Sequence, residues 1–419
     1  QIVIGYILAR IFVTLVMIPR YFAGAEIYSP YRLISDRFGS SARTLAVYLI
    51  MISGFLAAGV RVYATAIPLK LLLNIDIGTA IIIFSIVAII YTYMGGIKAV
   101  IWTDVAQFFV FVGGGLFALC YMPSMIEGGF GTVWETVTKA GKTACFDWKF
   151  SLSGDFNIWM GIIGATFLCA TSHGADQLLV QRILACRNKR EGQKAMMFSA
   201  IVILPIFLMF LLIGLMLWVF YQHHAFGILQ PVDAAGKFKP DYIFPVFIIT
   251  QMPSVIKGLL IAAIFAAAMS SIDSALCALS SIFVMDIHKE YFEKGRDEKY
   301  YIDFSKKTIL LFGVVLTIVA FLCQNVTLIF NLAFKLTGIT SGAVLGAMLF
   351  AIVNKRDFKS WPVMCGMLLS TAVMAYVVFY TSVHWAWLPF FGTAITMSTA
   401  YLLIPFSVEM NGKGEGHVS

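Results

Sequence analysis

Eleven stretches of this sequence stay apolar for about 20 residues, the length at which an α-helix crosses the hydrocarbon core of a bilayer. They run roughly over 1–22, 43–74, 77–95, 99–122, 157–182, 194–221, 254–285, 306–324, 328–353, 360–380 and 384–408. Few folds are open to such a chain. Where no water reaches the backbone, every N–H and C=O needs an internal partner, and a helix supplies them all locally. The pattern predicts an all-α polytopic protein seated in a lipid bilayer. Composition agrees: 60% of the 419 residues are hydrophobic and 12% are charged. A soluble domain of that length cannot hide so much apolar surface.

Alternation of eleven spans assigns each loop to a side, and charge tests the assignment. With the 23–42 loop inside, the inner loops and their margins hold 19 lysines and arginines. The outer loops hold 5, namely Lys139, Lys142, Lys149, Lys237 and Lys239. That bias is the positive-inside pattern, and it accounts for the net charge of +8 without a nucleic-acid partner. The seven cysteines show no CxxC pairing and fall mostly in apolar runs. They read as small core residues. No nucleophile–base pair or metal cluster stands in a loop, so an enzyme is not expected, and no obligate protein partner is evident. Short loops and the lack of a linker predict one domain over 1–408 with a short cytoplasmic tail, 409–419. Trp134, Trp148, Tyr221 and Tyr242 suit the membrane interface, and "DYIFPVFIITQMP" (241–253) suits a short helix along it. The start at Gln1, already inside an apolar run, reads as a piece of a longer protein.

An ionisable side chain at the middle of a spanning helix costs about 2.5–3.5 kcal/mol on insertion scales, so it needs a partner or a use. Arg10, Arg61, Asp104, His173, Asp176, Asp273 and Lys335 fall in such places. In "IFAAAMSSIDSALCALSSIF" (264–283), Ala267, Ser270, Asp273, Ser274 and Cys277 recur at steps of three and four, forming one small, oxygen-rich stripe. Small residues also serve close helix packing. An aspartate within the stripe points further, to a hard cation such as sodium held by oxygen ligands. "CATSHGADQLLVQR" (169–182) and "LTGITSGAVLG" (336–346) place glycines at mid-span, where a helix either breaks around a midplane site or approaches its neighbour closely. Arg10 and Arg61 suit counter-ions for the aspartates or anchors for an anionic substrate. Lys335 suits snorkelling to the outer surface, and Asp104 also suits an N-cap.

Three segments, "YTYMGGIKAVIWTDVAQ" (91–107), "GADQLLVQRILACR" (174–187) and "FAAAMSSIDSALCALSSIFVMDIHKEYF" (265–292), together resemble the sodium/solute symporters, the family of sodium–glucose, proline, iodide and sialic acid transporters. The resemblance runs over nearly the whole chain. It implies a five-plus-five inverted repeat of LeuT type with extra C-terminal helices. Gln1 would fall at the start of the second core helix, so core helix 1 is lacking. It also implies Na+ as coupling ion. One sodium site would use Ser270, Ser271 and the Ala267 carbonyl, with further ligands from core helix 1. A second would use Asp104, Ser270, Asp273 and Ser274; Asp273 stands where the family has serine or alanine.

The resemblance further implies alternating access, in which inward sodium flow drives uptake of a small polar organic solute across the plasma membrane, the inner membrane of a bacterium. "ADQLLVQR" is most similar to the sugar-transporting branch, which ranks a sugar or polyol first. That branch carries an aromatic gate where this chain reads Thr171, Ser172 and His173. The alternatives are a sodium-coupled organic anion (sialic acid or monocarboxylate) symporter, or a solute sensor on the same fold. Substrate or gate candidates are Arg10, Arg61, Ser172, His173, Asp176 and Gln177.

Overall fold

The computed structural model describes residues 1–23, 29–154, 156–225, 232, 240–324, 329–356 and 358–407. The expected tail, 409–419, and Lys237 and Lys239 lie outside the described residues. The architecture is all-α, and among the described residues ten helices are long and apolar enough to cross a membrane.

The eleventh expected span, 157–182, is broken. It proceeds as a wide turn over Met160–Gly164, a short helix Ala165–Ala170 and a second wide turn Thr171–Ala175. Asp176 is then extended, and a separate helix Gln177–Leu184 begins. The other glycine-marked segment behaves differently. Ile329–Val353 is one continuous helix, whose glycines let neighbours approach. A Cβ at Gly342 would lie 2.7 Å from the Pro389 carbonyl and 2.8 Å from the Gly392 Cα.

Helical backbone runs from Ile77 to Tyr121, yet Tyr91 Oη donates to Thr103 Oγ1 over 2.8 Å. Twelve residues of straight helix would separate them by about 18 Å, so the chain reverses between them. The two expected spans are the arms of this hairpin, Ile77–Met94 and Ile101–Met125. Asp76 starts it as N-cap, accepting from the Thr79 N–H. Those Thr79 hydrogen bonds hold its carboxyl below the ordinary carboxylate range.

The first arm shows how one helix serves two media. Ile82, Ile86 and Ile90 are 46%, 51% and 54% exposed, a stripe suited to lipid tails. Phe84, Ala88 and Thr92, at the same spacing, are buried against the helix Ser254–Ile282 and its neighbours. Ser254–Ile282 is the hub, packing against the hairpin, Ser40–Leu73 and Glu298–Leu322. At the C-terminal end Ile329–Val353, Trp361–Tyr380 and Leu388–Leu403 pack on one another. Small contacts hold them: Ser370 Oγ donates to Gly392 O (2.8 Å) and Thr393 Oγ1 to Gly342 O (3.2 Å). Tyr242, expected at an interface, is instead 4% exposed at the start of a short helix, Ile243–Gln251.

Two glycines separate packing from intrinsic propensity. At Gly342 a methyl group has no room, which costs about 1–3 kcal/mol by overpacking. At Gly113 nothing lies within 4 Å, and alanine gains about 0.5–1 kcal/mol of helix propensity. Gly342→Ala is expected to lower the thermal unfolding midpoint in detergent by several degrees, and Gly113→Ala to leave or raise it. Equal midpoints would overturn the close-approach account.

Candidate functional site

The stripe on Ser254–Ile282 meets both arms of the hairpin. Ser270 Oγ donates to Asp104 Oδ1, and Asp273 Oδ1 accepts from Thr92 Oγ1 at 2.7 Å. A third element completes the cluster. Arg182, on the short helix Gln177–Leu184, places Nη2 2.6 Å from Asp104 Oδ2, and the same nitrogen donates to Ser274 Oγ. Asp104 is thus neutralised by Arg182 rather than by Arg10 or Arg61. The pair is partly screened from water, with side chains 31% and 19% exposed. Asp273 is 1% exposed, and its Oδ2 has no hydrogen-bond partner among the described residues.

An orphaned carboxylate oxygen beside Asp104, Ser270 and Ser274 is an all-oxygen donor set, and that is what a hard cation such as sodium selects. The residues fit the ion. Among the described residues no three His, Cys, Asp or Glu side chains converge, so the set does not suit a transition metal. Ser271 Oγ turns back to donate to Ala267 O (3.2 Å). Within the two sets implied by the resemblance, Ser270 reaches Asp104 while Ser271 and Ala267 pair with each other.

A cavity of about 500 Å³ lies near the break in the 157–182 segment. Ser53, Arg61, Thr171, Ser172, Asp176, Asp241 and Ser341 are among the residues that line it, with apolar neighbours and the rings of Tyr6 and Phe334. Asp176 caps the short helix by accepting from the Leu178 N–H (3.0 Å). Arg61 rises from Ser40–Leu73, is exposed to this cavity, and makes no side-chain hydrogen bond or ion pair among the described residues. The Asp176 carboxylate acts on it only at longer range. The cavity therefore presents a guanidinium without a direct partner among the described residues, together with the Asp176 and Asp241 carboxylates. Gln177 is buried at the first position of the short helix, 1% exposed.

Arg10, 5% exposed, takes no carboxylate among the described residues. Its Nε donates to Ser199 Oγ (3.0 Å), Nη1 to Tyr6 O (3.3 Å) and Cys169 Sγ (3.7 Å), and Nη2 to His173 Nε2 (2.9 Å). A guanidinium only donates, so His173 Nε2 must accept and the ring proton sits on Nδ1. That proton then points at Ser172 Oγ (2.8 Å), whose own hydrogen goes to Cys169 O (3.2 Å). Ser172 consequently faces the cavity with only a lone pair to offer.

Arg182 and Thr92 escape sequence reasoning. Arg182 stands at the end of an expected span and counts only among the inner-side basic residues, and Thr92 is not singled out by the pattern. The signal for Thr92 is its place at four-residue spacing behind Phe84 and Ala88. Expected for the His173 network is a single neutral Nδ1–H tautomer in ¹⁵N-histidine NMR. Arg10→Met should release the ring to a mixture of tautomers, and an Nε2–H ring in the unaltered protein would overturn the assignment.

Comparison with known proteins adds the following. Residues 1–370 match the sodium:solute symporter family. The sodium/sialic acid symporter SiaT of Proteus mirabilis is 31% identical over 341 residues, covering 80% of this chain and 67% of that protein. The human sodium-coupled monocarboxylate transporter 2 is 27% identical over 378 residues, covering 90% of this chain and 59% of that protein. The chain thus spans about three fifths to two thirds of the length of these relatives. A solved structure described as the substrate-bound, outward-open state of a Na+-coupled sialic acid symporter superposes with a TM-score of 0.85. It is 27% identical, covering 98% of this chain and 84% of that one.

Proposed function

The chain belongs to the sodium:solute symporter family, and from that premise we propose that it carries a small organic anion across the membrane together with sodium, by alternating access. The family is one of sodium-coupled transporters and not of enzymes, so the chemistry is binding and movement. The observation that carries the anion reading is Arg61, a guanidinium without a partner among the described residues, inside a cavity of about 500 Å³. A carboxylate is the group it suits. The relatives named for sialic acid and monocarboxylates support the same class. An organic anion therefore takes precedence over the sugar or polyol that the sequence ranks first. Ser172 is suited to accept from a hydroxyl or amide N–H of the solute, and Asp176, Thr171 and Ser341 supply further polar contacts. Ten described helices long and apolar enough to cross a bilayer support a multi-pass membrane protein, and its match to a bacterial symporter supports the inner membrane of a bacterium as its location.

Sodium, when bound, supplies the driving free energy; this chain's residues supply the oxygens. Asp104, Ser270, Asp273 and Ser274 form one set, and Ala267 and Ser271, which pair with each other, belong to a second that shares Ser270. Two sets matter for an anion. One sodium with one monoanion moves no net charge, so only the concentration ratio drives it, about tenfold for a tenfold gradient or about 1.4 kcal/mol. A second sodium adds that term again plus about 2.3 kcal/mol for about 100 mV. The limit becomes several thousand-fold, on the order of 5 kcal/mol.

The test is uptake by the protein in proteoliposomes, across sialic acid, short monocarboxylates and neutral sugars, with an inward sodium gradient and then potassium. Sodium-dependent accumulation of a carboxylate is expected. Arg61→Gln should weaken it by about 100-fold, since removing one member of a buried charged contact costs about 2–5 kcal/mol. Accumulation of neutral sugars alone, or full carboxylate uptake by Arg61→Gln, would overturn the reading. Binding without accumulation would favour a sensor.

A further inference from the structure

We propose that Arg182 is the resident cation of the helix-hairpin site and sets its sodium affinity: its guanidinium occupies the place that sodium takes between Asp104 and Ser274, and the two exclude each other. The inference rests on the sodium reading given above and names a positioning residue that this reading does not contain.

Three observations carry it. One nitrogen, Arg182 Nη2, holds both Asp104 Oδ2, at 2.6 Å, and Ser274 Oγ. An ion at ordinary cation–oxygen distances from those two atoms would stand where Nη2 stands. The grip is also partial. Arg182 does not form the two-pronged contact with its carboxylate that makes such pairs strong, and its Nε is buried with no acceptor among the described residues. Beside it, Asp273 Oδ2 is a buried oxygen that the guanidinium does not use. The site is thus arranged for a cation and filled by a tethered one that can leave.

The tether gives the exchange a mechanical consequence. Arg182 belongs to Gln177–Leu184, a short helix detached from the span before it by the extended Asp176. Asp104 and Ser274 belong to long helices packed together. Asp176, at the other end of the short helix, lines the solute cavity with Ser172 and Arg61. The occupant of the cation site and one wall of the solute cavity therefore ride on a single eight-residue element. Freeing Arg182 frees that wall, and by linkage a solute that favours the freed arrangement tightens sodium binding by the same factor. A site closed by Arg182 in about nine molecules of ten binds sodium about tenfold more weakly than an open one.

The experiment is a sodium-binding isotherm on the purified protein without solute, in potassium-balanced buffer. At the helix-hairpin site, Arg182→Gln is expected to bind sodium at least tenfold more tightly, Arg182→Lys to stay near the unaltered protein, and Asp104→Asn to lose the binding that belongs to this site. A purely structural arginine would leave affinity unchanged or weaken it on removal. Unchanged or weaker binding in Arg182→Gln, with binding lost in Asp104→Asn, overturns the Arg182 proposal and leaves the sodium site standing. Binding absent from both the unaltered protein and Arg182→Gln, or indifferent to Asp104→Asn, overturns the sodium site and the proposal with it. Should Arg182→Gln not fold, Cys186 serves as reporter, because its thiol donates to Arg182 O just past the short helix. Its labelling by a maleimide, followed by mass spectrometry in the unaltered protein, is expected to quicken several-fold with sodium and not with potassium. Equal rates overturn the proposal.

Discussion

In a medium without water, each polar group must find its partner inside the protein, and the rest of this structure follows from that constraint. Backbone groups meet it by forming helices, which is why the described chain is all-α. Side chains meet it pairwise. Arg182 answers Asp104, Thr92 answers Asp273, and His173 answers Arg10. Asp273 Oδ2 is among the buried atoms left without such a partner in the described residues, and the Arg61 guanidinium, which faces the cavity, makes no hydrogen bond or ion pair there either. An unmet requirement of this kind is expensive unless a mobile ligand meets it, and the two fall in the two places proposed above for the cation and the solute.

The break at Asp176 connects those sites. A continuous helix through 157–182 would transmit force along its whole length, whereas the extended Asp176 separates the helix Gln177–Leu184 from what precedes it. Asp176 caps that helix with its side chain, so the interruption is stabilised by the residue that also faces the solute cavity. The long helix Ser254–Ile282 is the opposite kind of element. It is unbroken, packed on the hairpin, Ser40–Leu73 and Glu298–Leu322 among others, and carries Ser270, Asp273 and Ser274 on one face. A fixed ligand face against a movable cation is a simple means by which ion binding can bias conformation.

Much of this was legible in sequence, and for physical reasons. Span length follows from bilayer thickness, so hydropathy finds helices without knowledge of contacts. The spacing of Ser270, Asp273 and Ser274 places them on one face at the pitch of a helix, and Gly174 sits where the 157–182 span breaks. The same kind of signal at 336–346 marked a close helix crossing instead. Glycine permits both outcomes, and only the neighbour, here Pro389 and Gly392, distinguishes them.

The sequence by itself determined the membrane class, the helical spans, the family and the residue types available for a cation and a polar solute. The class, the spans and the residue types depend on local composition and periodicity, and the family on the resemblance of three segments. Only the tertiary structure decided which charge meets which. Asp104 is 78 residues from Arg182 and 166 from Ser270, and no local pattern records that they converge. The same holds for Arg10 and Arg61, two arginines at mid-span with equal claims on paper. Packing surrounds one with Ser199 and His173 and leaves the other facing a cavity. A charge's role in a membrane is set by what surrounds it, and that is a property of the folded chain.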